Sequence, residues 1–305
     1  MGFTCGLRAN AVEGVYLLVR RGAQSKKYIR KVPQVSHNPI FQRLEIIAGG
    51  EGIRALASTR VIVFGIGGVG SWCAEALVRS GVGTIALVDS DVVCITNVNR
   101  QVQATTASVG KPKVTELADR MRLVNPKAEI IPLQTVFSRT TAHEFDLGGY
   151  AYVVDAIDSL SNKVDLIIAA CKAGAKVFSA LGASNKLDPL QIRVDSLWKS
   201  QGCPLGRYIR KRLRRKGFDG DVTCVYSEEN LPLRPAGNAC GTDDCVCPKT
   251  AQQTGAGPTA AHEWCSTKKQ INGSAVHVTG TFGFYLAGLV IQDVVGGVAG
   301  SSPES

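Results

Sequence analysis

Short apolar runs alternate with segments of helical periodicity through the first two thirds of the chain. Residues 60–65 form a β-branched run that ends in glycine, a pattern typical of a central parallel strand. Residues 71–80 follow with helical spacing, because Trp72, Ala76 and Leu77 recur at i, i+4 and i+5. The same patterns predict strands at 84–88, 129–132, 150–154 and 176–180, and helices at 111–124 and 160–173. This alternation predicts an α/β fold, a Rossmann-like doubly wound sheet with right-handed crossovers.

The pattern changes after about residue 200. Residues 205–216 form a basic amphipathic segment, and residues 229–261 are rich in Pro, Gly, Asn, Thr and Cys, which predicts a long loop or insertion. Residues 275–299 are apolar but include Gln292, Asp293 and five glycines. No uninterrupted stretch reaches the roughly 18 residues that a membrane span requires. The sequence therefore predicts a buried C-terminal helix and no integral membrane span.

Composition narrows the class of protein and its partners. Of the 305 residues, 45% are hydrophobic, which is ordinary for a soluble globular protein, and the net charge is +10. This charge favours polyanionic partners such as RNA or an acidic membrane surface, although a basic soluble protein without them also fits. The ten cysteines are expected to be reduced thiols, because a chain of this length builds an apolar core without disulfides.

Residues 1–37 form a basic N-terminal extension. The first 31 residues carry seven Lys or Arg residues against a single acid, Glu13. An Arg-rich, acid-poor segment is typical of a mitochondrial or plastid transit peptide, and a disordered basic extension accounts for it equally well. The expected location is cytoplasmic or mitochondrial.

A glycine-rich turn joins the first strand to the helix that follows it. Gly65 permits the tight turn, Gly67 lets a phosphate approach the backbone, and Gly70 lets the helix pack close to the strand. The free N–H groups and the dipole of the helix attract phosphate. Asp89 ends the second strand, 19 residues after Gly70, where its carboxylate can bind ribose hydroxyls. The turn predicts a nucleotide site that suits NAD, FAD or ATP.

Polar and charged residues further along the chain indicate which of these nucleotides the site binds. Asn97, Arg100, Lys113 and Asp158 follow in that order. A dehydrogenase breaks no bond to phosphorus and needs no fixed cations there, whereas nucleotidyl transfer does. Arg100 and Lys113 can hold a triphosphate and stabilise charge at the α-phosphate, and Asp158 can hold Mg²⁺ on the leaving pyrophosphate. Each residue alone also fits a solvated side chain or a helix cap, but their joint presence favours ATP and carboxylate activation.

Together these motifs resemble the adenylation domain of ubiquitin-activating enzymes and of the bacterial thiamine and molybdopterin sulfur-carrier adenylyltransferases. The resemblance is carried by residues 65–70, 89–91, 97–101, 110–113 and Asp158, and it covers about residues 38–200. It implies that a carboxylate attacks the α-phosphate of ATP to give an acyl-adenylate and pyrophosphate. The implied ATP contacts are Gly65, Gly67, Gly70, Asp89, Asn97, Arg100, Lys113 and Asp158.

The resemblance also implies a homodimer, because members of the family send an arginine from one subunit to the triphosphate of the other. Arg43 is the residue that we assign to this role, although its spacing to Arg60 differs slightly from that of related chains.

Within the family, five stretches resemble the tRNA threonylcarbamoyladenosine dehydratase branch. They are residues 67–72, 152–158, 188–192, 224–228 and 279–283. This branch implies a tRNA partner and the ATP-dependent cyclisation of threonylcarbamoyladenosine to its hydantoin form. The chain then divides into the extension (1–37), the ATP-binding adenylation domain (38–200), a basic helix with a Cys-rich insertion (201–274), and a C-terminal core helix and tail (275–305).

The cysteines depart from the family pattern. The sulfur-carrier enzymes hold a structural zinc with two Cys-x-x-Cys pairs. Here Cys240, Cys245, Cys247 and Cys265 lack that spacing. Cys224 matches a cysteine position of the dehydratase branch, and it fits either a thiol beside the activated acyl group or a buried small apolar residue.

Three functions remain open from the sequence. The first is modification of tRNA: the basic residues of 207–216 can bind tRNA phosphates, with Tyr208, Ile209 and Leu213 to seat the segment, although a solvated helix face also fits. The second function is activation of the C-terminus of a ubiquitin-like or sulfur-carrier protein partner, which the missing zinc pairs disfavour. The third is dinucleotide-dependent oxidation, which residues 99–101 and Lys113 disfavour.

Overall fold

The computed structural model describes residues 38–232 and 272–299. Three predictions lie outside these residues: those for 1–37, for the cysteines between 240 and 265, and for the tail 300–305. The described strands form one seven-stranded sheet in the order β3-β2-β1-β4-β5-β7-β6. The strands are β1 (Arg60–Phe64), β2 (Thr84–Val88), β3 (Glu129–Leu133), β4 (Tyr152–Asp155), β5 (Lys176–Ala180), β6 (Ile192–Ser196) and β7 (Thr223–Ser227). All neighbours are parallel except β6 and β7, which confirms the predicted doubly wound sheet.

Helices cover both faces of this sheet. They are α1 (Gln42–Ser58), α2 (Gly70–Arg79), α3 (Lys113–Val124), α4 (Leu160–Lys172), α5 (Pro204–Arg215) and α6 (Val276–Ala299). Alternate residues of β1 point to opposite faces: Val61 packs with α2 and α6, whereas Ile62 packs with α4 and α5. The central strands are mostly apolar because both of their faces are buried.

The nucleotide site predicted from the sequence lies where the strand order reverses. The chain runs outward from β1 through β2 to β3 and then returns to β4 on the other side of β1. Phe64 at the end of β1 pairs with Asp155 at the end of β4. The glycine turn after β1 and the loop to Asp158 after β4 therefore flank one crevice, the usual ligand position in such sheets.

The sequence pattern does not predict α1, β6 or β7. Three glycines interrupt the apolar spacing of α1, and Gly49 breaks the helix with a φ of +71°. The sequence reveals β7 only as a motif around Cys224, and this strand lies inside the sheet between β5 and β6. The sheet therefore continues past residue 200, the predicted end of the adenylation domain.

α6 packs along one face onto the domain. Val278, Phe282, Leu286 and Val290 are fully buried at helical spacing against α1 and α2, and Asp293 accepts a hydrogen bond from Tyr152 Oη of β4 (2.7 Å). Among the described helices, only this one is long and apolar enough to cross a membrane by length and composition. The prediction of a C-terminal helix is confirmed, and its burial is one-sided.

Candidate active site

Two glycines of the turn are required by the fold itself. Gly65 has a φ of +86°, and a Cβ there would lie 2.6 Å from the carbonyl oxygen of Ala156. A Cβ on Gly70 would lie 1.9 Å from the carbonyl oxygen of Gly65. A side chain at Gly65 would therefore push the turn away from the loop after β4, and one at Gly70 would force α2 away from the end of β1.

Gly67 faces open space instead. The nearest atom to a Cβ at this position is Gln101 Nε2, at 4.0 Å. In the described part of the chain, the backbone N–H groups of Gly67, Gly68 and Val69 donate no hydrogen bond, and α2 has no side-chain cap. Unpartnered N–H groups at a helix start, with room in front of them, suit a phosphate.

Asp89, Asp91 and Lys113 form a charged cluster beside this turn. Lys113 Nζ lies 2.7 Å from Asp91 Oδ2 and 3.8 Å from Asp89 Oδ1, and the Lys113 side chain is only 7% exposed. Asp89 accepts from the backbone N–H of Ile66 (2.7 Å) and of Asp91 (2.9 Å). Each carboxylate oxygen has a second lone pair, so Asp89 holds the turn and can still accept from a ribose hydroxyl.

The carboxylates keep Lys113 charged despite its burial. Burial alone would lower the pKa of Lys113, but Asp89 and Asp91 outweigh it and raise the pKa, with a smaller contribution from Asp158. Burial raises the pKa of Asp89, and the Lys113 cation opposes that rise. Lys113 is thus a fixed cation beside the glycine turn at neutral pH.

Asp158 is exposed, and a buried ion pair beneath it holds its loop. Asp155 and Lys163 are both fully buried, with Lys163 Nζ 2.8 Å from Asp155 Oδ2. Asp155 Oδ1 accepts from Ile157 N (3.2 Å), and Lys163 Nζ donates to Ile157 O (2.8 Å). Both backbone polar groups of Ile157 are thus hydrogen-bonded, so the loop presents the Asp158 carboxylate to solvent near Lys113. The positions of Asp155 and Lys163 support this geometry, and sequence reasoning did not assign them a role.

Arg100 crosses the glycine turn, and Asn97 shapes the loop that carries it. A Cβ on Gly68 would lie 3.3 Å from Arg100 Cδ, and Arg100 Nη1 donates to Thr96 O (2.7 Å). Asn97 is buried, and its side-chain oxygen accepts from Cys94 N (3.0 Å). In this geometry Arg100 lies over the glycine turn, whereas the amide oxygen of Asn97 holds its own loop.

Arg43 lies apart from these residues. It is exposed near the start of α1, and it makes no hydrogen bond or ion pair with a site residue in the described chain. This position leaves the guanidinium available to a second subunit.

Gln103 is a site residue that the sequence did not reveal. It is 4% exposed, and its Nε2 donates to the carbonyl oxygen of Ile66 (2.9 Å). Because a trans peptide points its C=O and the next N–H in opposite directions, this bond turns the Gly67 N–H away from Gln103. Among the described buried side chains, Gln103 Oε1 is the one polar atom without a partner. The role of Gln103 becomes visible only when the fold brings its side chain against the Ile66 carbonyl, because nothing in the local sequence distinguishes this glutamine from others.

Replacing Gln103 by Leu is expected to weaken ATP binding about tenfold, the loss of one hydrogen bond that orients the turn. The thermal midpoint should change little, because the apolar side chain also removes the unpartnered Oε1. Calorimetric titration with ATP measures the first effect. Gln103→Glu places a carboxylate against the Ile66 carbonyl oxygen and should weaken ATP binding further. Wild-type ATP affinity in both variants contradicts the orienting role.

The first turns of α6 close over the same glycine turn. A Cβ on Gly283 would lie 2.5 Å from Val69 O, and Thr279 lies 3.2 Å from a Cβ on Gly68. Phe282 is fully buried between them in the core. The motif 279–283 is therefore a packing motif that lets α6 touch the start of α2.

Cys224 is buried in the middle of the sheet. It pairs with Ser179 of β5, is 0% exposed, and its Sγ lies 3.6 Å from Val222 O. Burial strongly raises the pKa of its thiol, and the nearby Lys163 only partly opposes this. Of the two interpretations open from the sequence, this geometry favours the small apolar residue.

The fold and the site define a Rossmann-type domain that presents free N–H groups and fixed charges to a nucleotide. A family model matches residues 41–296, and the chain belongs to the ThiF family. The tRNA threonylcarbamoyladenosine dehydratase of Bacillus subtilis (strain 168) is 40% identical over 190 residues, which cover 62% of this chain and 75% of the relative. That of Escherichia coli (strain K12) is 36% identical over 244 residues, or 77% of this chain and 86% of the relative.

A solved structure shows the same architecture. The crystal structure of E. coli tRNA N6-threonylcarbamoyladenosine dehydratase, TcdA, in complex with ATP matches with a TM-score of 0.71 and 30% identity. The match covers 89% of this chain and 100% of that chain. The site described above thus belongs to a fold that binds ATP in a related protein.

Proposed function

We propose that this protein is an ATP-dependent tRNA threonylcarbamoyladenosine dehydratase. The observation that carries the proposal is the fixed Lys113 cation, held by Asp89 and Asp91 beside the unpartnered N–H groups of the glycine turn. A site for hydride transfer needs no such cation, whereas charge that develops on a phosphate does. The similarity to dehydratases at both sequence and structural level supports the same substrate.

In the first step, adenylation, different residues of the site act on different parts of ATP. The threonyl carboxylate of the substrate forms a bond to the α-phosphorus of ATP while the bond to pyrophosphate breaks. The N–H groups of the glycine turn hold the phosphates, and Asp89 binds the ribose. Lys113 and Arg100 stabilise the charge that develops on the transferring phosphate.

The donor set near Asp158 fits Mg²⁺. In the described chain, no group of three or more His, Cys, Asp or Glu residues lies together as a metal cage. Mg²⁺ commonly binds through one or two carboxylates, with phosphates and water as the other ligands. The exposed Asp158 provides such a carboxylate, and bound Mg²⁺ would neutralise charge on the leaving pyrophosphate.

Ring closure follows within one molecule. The ureido nitrogen attacks the activated carbonyl carbon, AMP leaves, and the nitrogen loses its proton, so the product is the substrate minus one water. Because nucleophile and electrophile are already joined, this step needs positioning and proton transfer and no covalent enzyme intermediate.

Cys224→Ala should therefore convert tRNA at close to the wild-type rate. It should lower the free energy of unfolding by about 1 kcal/mol, as the loss of a small buried group does. Cys73→Ala, at another fully buried thiol in α2, is the matched control. Loss of conversion by a folded Cys224→Ala protein, with Cys73→Ala active, would mean that the thiol takes part in the chemistry.

The alternative is activation of the C-terminus of a ubiquitin-like or sulfur-carrier protein on the same fold. Pyrophosphate release, assayed with threonylcarbamoyladenosine-containing tRNA, with a ubiquitin-like protein, and with neither, separates the two functions. We expect stimulation by the modified tRNA. Stimulation by the protein alone would replace the dehydratase proposal with this alternative.

We also propose a homodimer in which the partner's Arg43 completes the site. Arg43 is exposed on α1, and the neighbouring Ile46 and Ile47 are 80% and 81% exposed. Exposed apolar residues grouped on one helix mark an interaction surface. Sedimentation at micromolar concentration should give twice the chain mass of 32.3 kDa, and a monomer mass contradicts this arrangement.

A further inference from the structure

The cations of α5 and its C-terminal cap fall into two groups, of which the first holds the helix on the domain. Arg212 Nη1 donates to Ser161 Oγ (2.8 Å), and Lys216 Nζ lies 2.5 Å from Asp165. The Arg214 guanidinium lies 5.2 Å from the centre of the Trp198 ring, and Arg210 donates to Leu197 O (3.3 Å). These contacts account for four of the basic side chains.

The second group is a line of cations on the solvent-facing side of the helix, which we call the basic stripe: Arg207, Lys211 and Arg215. All three are exposed, and a spacing of four residues places them on one face, about 6 Å apart along the helix. Ile209 and Leu213 are fully buried on the other face. In the described chain, Lys211 and Arg215 make no hydrogen bond or ion pair, and Arg207 contacts only the ring of Tyr208, at 5.2 Å.

Arg215 lies in the last turn of α5, where the helix dipole favours a cation, but the dipole gives Arg207 and Lys211 no such stabilisation. Like charges four residues apart on a helix repel each other and destabilise it by a few tenths of a kcal/mol per pair. α5 has no acidic residue that would offset this repulsion. A row of exposed cations without internal partners is the arrangement that binds a polyanion.

The stripe begins at the same edge of the sheet as the adenylation site. The bond from Arg212 to Ser161 ties α5 to the first turn of α4, and α4 begins two residues after Asp158. Arg207 also lines an open cleft of about 270 Å³ with Cys203 and Arg210, where α5 starts. A polymer lying along the stripe would therefore extend past the loop that carries Asp158.

We propose that the basic stripe binds the phosphate backbone of the tRNA whose modified nucleoside reacts at the ATP site. This inference rests on the proposed function. Phosphate contacts position a nucleic acid without reading its sequence. The stripe should therefore contribute affinity and orientation for tRNA and little base specificity.

The test compares two double variants that lose the same charge. Lys211→Gln with Arg215→Gln removes two stripe cations. The control, Lys127→Gln with Lys172→Gln, removes two exposed lysines at the opposite edge of the sheet, before β3 and at the end of α4. Binding of threonylcarbamoyladenosine-containing tRNA to the full chain is measured from low to physiological salt, and thermal melting checks the fold.

We expect the stripe variant to bind tRNA roughly tenfold more weakly than the control at physiological salt. The slope of log affinity against log salt should fall by about 2, one for each phosphate that the protein no longer neutralises. Equal affinity and slope in the two variants would overturn the proposal. So would anionic phospholipid vesicles that lose binding to the stripe variant while tRNA binding is unchanged, because the surface would then belong to a membrane.

Failure of the stripe and failure of the proposed function give different results. If wild-type protein cyclises the nucleoside and the stripe variant binds tRNA normally, only the stripe is wrong. If the stripe variant loses tRNA binding but wild-type protein forms no cyclic nucleoside, the basic stripe binds tRNA as proposed and the dehydratase function is wrong.

Discussion

Asp158→Ala is expected to lower the rate of adenylation by about a thousandfold, equivalent to about 4 kcal/mol of transition-state stabilisation. The Asp158 carboxylate is exposed, and the buried Asp155–Lys163 pair holds its loop at the crevice. Without it, Mg²⁺ would have only phosphate and water ligands, so the Mg²⁺ concentration needed for half-maximal pyrophosphate release should also rise. Pyrophosphate release with threonylcarbamoyladenosine-containing tRNA measures both effects.

The fold should survive this substitution, because an exposed side chain contributes little to stability. Asp119→Asn, at an exposed carboxylate on α3, is the control and should behave as wild type. Wild-type turnover and an unchanged Mg²⁺ requirement in Asp158→Ala would refute the proposed metal role.

Lys113→Met should strongly slow ATP-dependent conversion and also weaken the fold. The lysine neutralises Asp89 and Asp91, and its removal leaves the buried Asp89 without a cation. Breaking a buried pair in this way costs about 3 kcal/mol of stability. Loss of the fixed cation should lower the rate of adenylation by about a hundredfold or more, the usual effect of removing a preorganised charge from an active site.

A second variant separates the chemical role of Lys113 from its structural one. Lys113→Arg keeps the charge and should restore most of the stability, while the larger guanidinium misplaces the charge and keeps the rate low. Lys111→Gln changes an exposed lysine two residues away and should leave rate and melting close to wild type. Full activity in Lys113→Met at a temperature where it is folded would contradict a catalytic cation.

The sequence predicted the features of the site that depend on local chain geometry. β2 and β5 have the predicted bounds, because buried parallel strands are mostly apolar: β2 is buried along its whole length, and β5 is buried after Lys176. Gly65 and Gly70 lie where close backbone approach excludes a side chain, and the sheet order brings Asp158 near Lys113. The roles assigned to the individual site residues stay predictions until the variants are measured.

The residues that the sequence did not reveal act through contacts distant in the chain. Gln103 orients the glycine turn only because its loop folds back to Ile66. Lys163 is one of several polar residues of α4, and its burial and its partner Asp155 are identified only once β4 and α4 are packed. The pattern of hydrophobic positions does not predict β6, because β6 is an antiparallel edge strand with exposed residues at its centre.

The central claim is that this chain uses ATP to cyclise threonylcarbamoyladenosine in tRNA. The most direct measurement is mass spectrometry of nucleosides from modified tRNA after incubation with the full chain, Mg²⁺ and ATP. We expect a nucleoside lighter by one water, formed only when ATP is present, with AMP and pyrophosphate released in equal amounts. Unchanged threonylcarbamoyladenosine after incubation with folded, ATP-binding protein would contradict it.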